Sequence, residues 1–87
     1  MGQMDKLIAR FKQRPTDFSY DELKRMLSYL GYEEFSKGKT SGSRVIFIRE
    51  SDGLKIFLHK PHPSNILKSY QINEILNCLI DRGDIDE

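Results

Sequence analysis

Apolar residues recur along the chain with two different periods, and each change of period marks an element. Met4, Leu7, Ile8 and Phe11 stand at i, i+3, i+4 and i+7, one stripe of a short amphipathic helix. Pro15 stops that helix, because proline pushes the residue before it out of the helical region. A second helix is predicted over 20–30. Ser19 and Glu22 have the spacing of a capping box: the hydroxyl accepts from the amide three residues on, and the carboxylate reaches back. Phe18 and Leu23 fit the hydrophobic staple across that cap. Tyr20, Leu23, Leu27 and Leu30 make the buried stripe, and Gly31 follows where a left-handed residue closes a helix.

Beyond Gly31 the period drops toward two. Tyr32 to Ser36 reads as a short edge strand. Lys37 to Gly42, with its two glycines and small polar residues, reads as a loop. Arg44 to Arg49 is β-branched and aromatic, a strand apolar on both faces, so its orientation stays open. Ser51-Asp52-Gly53 is a turn signal, and Leu54 to His59 is the returning strand of a hairpin. Alternation puts Lys55, Phe57 and His59 on one face and Leu54, Ile56 and Leu58 on the other, toward the core. Pro61-His62-Pro63 forces an extended connector. Ile72, Ile75, Leu76 and Leu79 then restore the helical stripe, with Ser69 as the expected N-cap, Gly83 as the stop and a frayed acidic tail after it. The expected fold is α+β, order α-α-β-β-β-α, one domain over residues 1–87. Helices cover one face of a three-stranded antiparallel sheet and leave the other for a ligand.

Composition narrows the class. At 87 residues the chain makes one small core. Its longest apolar run, Val45 to Ile48, is far short of the roughly 20 residues of a membrane span. The first residues have no apolar segment with a cleavage site, and Cys78 is the lone cysteine. A cytoplasmic protein is therefore expected. The net charge of +1 hides an uneven distribution: residues 37–68 carry seven basic and two acidic groups, residues 69–87 one basic and five acidic. A concentrated positive segment attracts phosphate whatever the total. The alternative reading is a solvated face.

The candidate chemistry lies in that basic segment. Gly38-Lys39-Thr40 lacks the upstream glycine of a phosphate-binding loop. Two histidines and a distant cysteine are too few for a zinc site, so no metal and no cofactor are expected. Histidine can shuttle protons near neutral pH, which suits RNA cleavage by the substrate's own 2′-hydroxyl. His62 or His59 are the candidate proton carriers. Lys60 or Arg44 could hold the phosphate, with Ser43 as a donor and Lys39 and Lys55 as further RNA-binding cations. The alternative is that His59 ends a strand in solvent and His62 serves loop geometry.

Three segments together carry a family resemblance: Thr40-Ser41-Gly42-Ser43-Arg44-Val45-Ile46-Phe47, Leu58-His59-Lys60-Pro61-His62-Pro63, and Asn65 followed by Leu67-Lys68. Over roughly residues 18–82 the chain resembles the HicA toxins of bacterial type II toxin–antitoxin systems. The resemblance implies a fold like double-stranded-RNA-binding domains, endoribonuclease activity on mRNA without a metal, and neutralisation by a HicB-type antitoxin. Typical members have Gly-Ser-His where this chain has Gly42-Ser43-Arg44, so arginine replaces the family's catalytic histidine. Arginine stays protonated and is no general base, but it binds phosphate and stabilises transition-state charge. His62 matches a second histidine of the family. Two functions stand: a metal-independent endoribonuclease, or a non-cleaving RNA-binding relative that keeps its antitoxin. The antitoxin is expected to contact the sheet face around Phe57, with Ile46 or Phe47, an aromatic anchor ringed by charge; the alternative is that these residues finish the core.

Overall fold

The computed structural model describes residues 3–36, 44–61 and 64–86. Its elements are helices α1 (Gln3–Lys12) and α2 (Tyr20–Tyr29), strands β1 (Tyr32–Ser36), β2 (Arg44–Arg49) and β3 (Lys55–His59), and helix α3 (Ser69–Asp81). The strands form an antiparallel sheet in the order β1-β2-β3. All three helices lie on one of its faces, so the expected α+β architecture and element order are the ones observed.

Local chemistry explains the helix ends. The Ser19 hydroxyl accepts from the Glu22 amide at 3.1 Å and the Glu22 carboxylate accepts from the Ser19 amide at 2.9 Å, the complete capping box. Burial pushes the Glu22 carboxyl up, but the Ser19 amide and the Arg10 guanidinium outweigh it and hold Glu22 below the usual carboxylate range. Gly31 takes φ 99°, a left-handed value that a side chain disfavours, and turns the chain into β1. Arg14, at φ 54°, turns the chain after α1.

The register explains which residues form the core. Tyr32, Val45, Phe47, Ile56 and Leu58 point inward and are buried, against Phe11, Phe18, Leu23, Met26 and Leu27 from the first two helices and Ile72, Ile75, Leu76 and Leu79 from α3. This settles the orientation of β2, which periodicity left open: Val45 and Phe47 face the helices, so of the two residues expected beside Phe57 at a partner contact, Phe47 belongs to the core and Ile46 alone shares the face of Phe57. On the opposite face Phe35 pairs with Ile46 and Ile46 with Phe57, a row crossing all three strands. Arg44 pairs with His59 on one side of that row, and Glu33, Ile48 and Lys55 line up on the other.

Four local expectations need correction. The returning strand begins at Lys55, not Leu54, because Leu54 belongs to the turn, where its carbonyl accepts from the Arg49 amide at 2.8 Å. Leu30 caps α2 and is only half-buried, while Met26 completes the buried stripe. Lys68, not Ser69, is the N-cap of α3. It has no side-chain acceptor, and its backbone amide donates instead to the Gln71 side-chain Oε1 at 3.0 Å. The tail is not frayed at Asp84 and Ile85. Ile85 is 4% exposed and part of the core. Asp84 accepts from the Tyr32 hydroxyl at 2.8 Å and from the Arg49 guanidinium.

Candidate nucleic-acid interface

The outer face of the sheet is open. Phe35 and Phe57 are 46% and 60% exposed, Arg44, Lys55 and His59 are exposed, and Ile46 between them is half-buried. Strand alternation alone puts these side chains on one face, since residues two apart point the same way and direct cross-strand partners share a side. Arg44 and His59 are such partners. A permanent cation and an imidazole thus stand side by side at the end of the sheet where β1 and β3 finish and β2 begins.

Helix α3 fixes strand β3. The bond from the Arg49 amide to the Leu54 carbonyl sets the phase of the β2–β3 ladder, so the carbonyls of Lys55 and His59 point away from β2. Both are taken by α3 and the residue after it. The Gln71 side-chain Nε2 donates to the His59 carbonyl at 2.8 Å, and the Arg82 guanidinium donates to the Lys55 carbonyl at 2.8 Å. Gln71 is 5% exposed and also receives the Lys68 amide, so it ties the start of α3 to the end of β3. A groove of about 100 Å³ runs between them, lined by Phe57, His59, Tyr70 and Glu74 among others. Gln71 and Arg82 escaped the sequence reading because both carbonyls meet them only through tertiary contact. Phe35 and Tyr70 were missed as exposed aromatics, although Phe35 followed from the alternation of its strand.

The remaining candidate residues are distributed differently. Lys60 follows His59 and turns to the other side, where its ammonium lies 5.4 Å from the centre of the Tyr20 ring. That ring belongs to a cluster in which the Tyr20 hydroxyl donates to Glu34 and Lys24 pairs with Glu34 at 3.0 Å. Burial first, and then Glu34, push the Tyr20 hydroxyl well above its ordinary range. Glu34 is raised by burial but lowered further by Tyr20, Lys24 and Lys60, and ends below the usual carboxylate range. Arg49, one of the seven basic residues of the central segment, is committed to structure: it pairs with Asp52 at 2.6 Å and with Asp84. The structure therefore brings Arg44, Lys55, His59, Ile46 and Phe57 onto one surface and holds Lys60 apart from them. Ser43, Lys39 and His62 lie outside the described residues.

The connector Asn65 to Leu67 closes the same end of the molecule. The Tyr20 amide donates to the Asn65 carbonyl and the Leu67 amide to the Phe18 carbonyl, both at 2.8 Å. Two backbone bonds thus join the entries to α2 and α3, while the Asn65 side-chain amide donates to Asp21 at 3.2 Å and the Leu67 side chain enters the core. Among the described residues no group of three or more His, Cys, Asp or Glu side chains could hold a metal ion. No helix there is long and apolar enough to cross a membrane.

From α2 onward the order is helix, three-stranded antiparallel sheet, helix, with both helices on one face, the arrangement of double-stranded-RNA-binding domains. Residues 20–79 match the family model described as the HicA toxin of bacterial toxin–antitoxin systems. The chain belongs to the HicA toxin family, which in general terms implies an antitoxin partner and an RNA substrate. Comparison with curated proteins and with solved structures returns no match.

Proposed function

We propose that this protein is a metal-independent mRNA endoribonuclease of the HicA kind, neutralised in the cytoplasm by a HicB-type antitoxin. The observation that carries the reading is the cross-strand pairing of Arg44 with His59 on an open sheet face. A scissile phosphate held on Arg44 has a proton carrier beside it. In the reaction the ribose 2′-oxygen forms a bond to phosphorus, the bond from phosphorus to the 5′-oxygen breaks, and a cyclic phosphate results. An imidazole takes the 2′-hydroxyl proton, and a protonated group returns one to the 5′-oxygen. His62 is assigned one of these roles and His59 the other. Arg44 balances the charge that builds on the phosphoryl oxygens, Ser43 adds a donor, and Lys39, Lys55 and Lys60 steer the RNA by charge.

One observation favours a second reading. Arg44, and not histidine, follows Gly42-Ser43. A non-cleaving relative would keep phosphate binding and antitoxin pairing while lacking the usual base. Induced expression followed by RNA end analysis, with EDTA present in a parallel reaction on purified protein, separates the two. Growth arrest and cyclic-phosphate ends that persist in EDTA and vanish in His62→Ala or His59→Ala support the enzyme. Intact RNA with a folded, RNA-binding protein supports the relative. The antitoxin contact is assigned to Phe57 and Ile46, and a Phe57→Ala variant that binds a HicB-type protein with unchanged affinity removes Phe57 from it.

A further inference from the structure

Among the described residues, three of the four exposed aromatics belong to the sheet face and the groove beside it, and the fourth, Tyr29, stands at the end of α2. Register places Phe35, Ile46 and Phe57 in one row across the sheet, and Tyr70, 57% exposed, lines the groove beside Phe57 and His59. Phe35 and Phe57 stand two strand spacings apart, about 10 Å. Cations flank the row on both sides, Arg44 with His59 on one and Lys55 on the other. Acidic groups stand at the rim, Glu33 at the β1 edge and Glu74 in the groove. An aromatic row between cations on an open sheet is the arrangement that holds a single nucleic-acid strand, with bases against the rings and phosphates on the charges.

We propose that the outer sheet face is a base-stacking platform for single-stranded RNA, with Phe35 and Phe57 as its two principal rings and Tyr70 as a third. The proposal rests on the RNA-binding reading above and adds to it both the form of the RNA and the residues that select it. A duplex keeps its bases stacked inside and offers no ring face to Phe35 or Phe57, so the platform discriminates against it. The phosphates run past Arg44 and Lys55, and the strand avoids the carboxylate of Glu74. Phe57 is then shared, and antitoxin and RNA exclude one another from it.

The test is fluorescence anisotropy on the full chain, with a labelled 2′-O-methyl oligonucleotide, which has no free 2′-hydroxyl to react. The single strand binds at least about tenfold tighter than the matching duplex. Phe35→Ala and Phe57→Ala each weaken single-strand binding by roughly 5- to 100-fold, as loss of one base stack implies. The slope of affinity against salt stays unchanged in both, since the phosphate contacts remain, whereas Arg44→Ala flattens it. Phe57→Trp restores binding. Both rings are exposed, so circular dichroism and melting temperature hold, and a fold defect is excluded directly. Wild-type protein without affinity for either oligonucleotide at low salt overturns the RNA reading together with the platform. Tight binding by the wild type that both alanine variants retain overturns the platform alone. The same holds if the variants lose the antitoxin and keep the RNA, which makes the row a protein-docking surface.

Discussion

Asp84→Ala is the most informative single perturbation of the fold, because the sequence pattern treats this residue as part of a loose tail. Its carboxylate is 8% exposed and accepts from the Tyr32 hydroxyl and the Arg49 guanidinium. Tyr32 is 1% exposed, so removing the acceptor strands a buried donor, at a cost of about 1–3 kcal/mol. Breaking a buried ion pair typically costs about 3–5 kcal/mol when the surviving charge is left alone. Arg49 keeps Asp52 at 2.6 Å, so it is not left alone. That contribution falls to about 1 kcal/mol, the scale of a partly exposed pair. The total is roughly 2–4 kcal/mol, equivalent to a fall in melting temperature of about 10–25 °C for a domain of this size. Thermal and urea unfolding followed by circular dichroism measure it. A cycle with Tyr32→Phe isolates the hydroxyl, and the two substitutions should couple by about 1 kcal/mol. A fall below about 2 °C, with no coupling, would refute the reasoning and return Asp84 to solvent. The clasp lies at the turn end of the hairpin, away from Arg44 and His59, so RNA affinity well below the variant's melting point should be unaffected.

The remaining predictions concern the site and its supports. Arg44→Ala should reduce the slope of log affinity against log salt by about 0.7, the value for one single-strand phosphate contact, as read from a salt titration. Gln71→Leu should destabilise the domain by about 1–3 kcal/mol in urea unfolding, because the His59 carbonyl and the Lys68 amide lose a buried partner; it should also lower RNA affinity by loosening the end of β3. Glu22 and Glu34 titrate below their ordinary value of 4.5 in the folded protein. Between the folded and unfolded values the unfolded chain binds more protons. Their contribution is therefore complete above about pH 5 and is lost as pH falls through the lowered folded values. Urea midpoints measured down the acid limb should drop, and Glu34→Gln should flatten part of that drop; an unchanged limb would exclude the Tyr20–Lys24–Glu34 cluster as a source. Phe47→Ala, at a fully buried ring beside Tyr20, should cost about 3–5 kcal/mol by the same urea assay.

Much of the fold was legible because it is written in short-range terms. The capping box at Ser19 and Glu22, the stop at Gly31 and the stripe from Ile72 to Leu79 depend on neighbours within a turn or two. The alternation of Lys55, Phe57 and His59 is equally local, and it correctly separated the open face from the core face. The motifs of the central segment carried the family.

Tertiary structure decided what local pattern leaves degenerate. A strand apolar on both faces, such as Arg44 to Arg49, has no preferred side until helices cover one of them, and packing put Val45 and Phe47 inside and Ile46 outside. Polar residues are harder still, because a side chain's partner depends on what the fold brings near it. Arg49 counted as one of seven cations available to phosphate, yet it is held by two carboxylates. Asp84 and Ile85 counted as a frayed end, yet one closes that cluster and the other enters the core. Gln71 and Arg82 found their acceptors on a strand far away in the chain. Periodicity specifies which face a residue takes relative to its own neighbours, whereas hydrogen bonds and ion pairs between distant segments exist only once the chain has closed on itself.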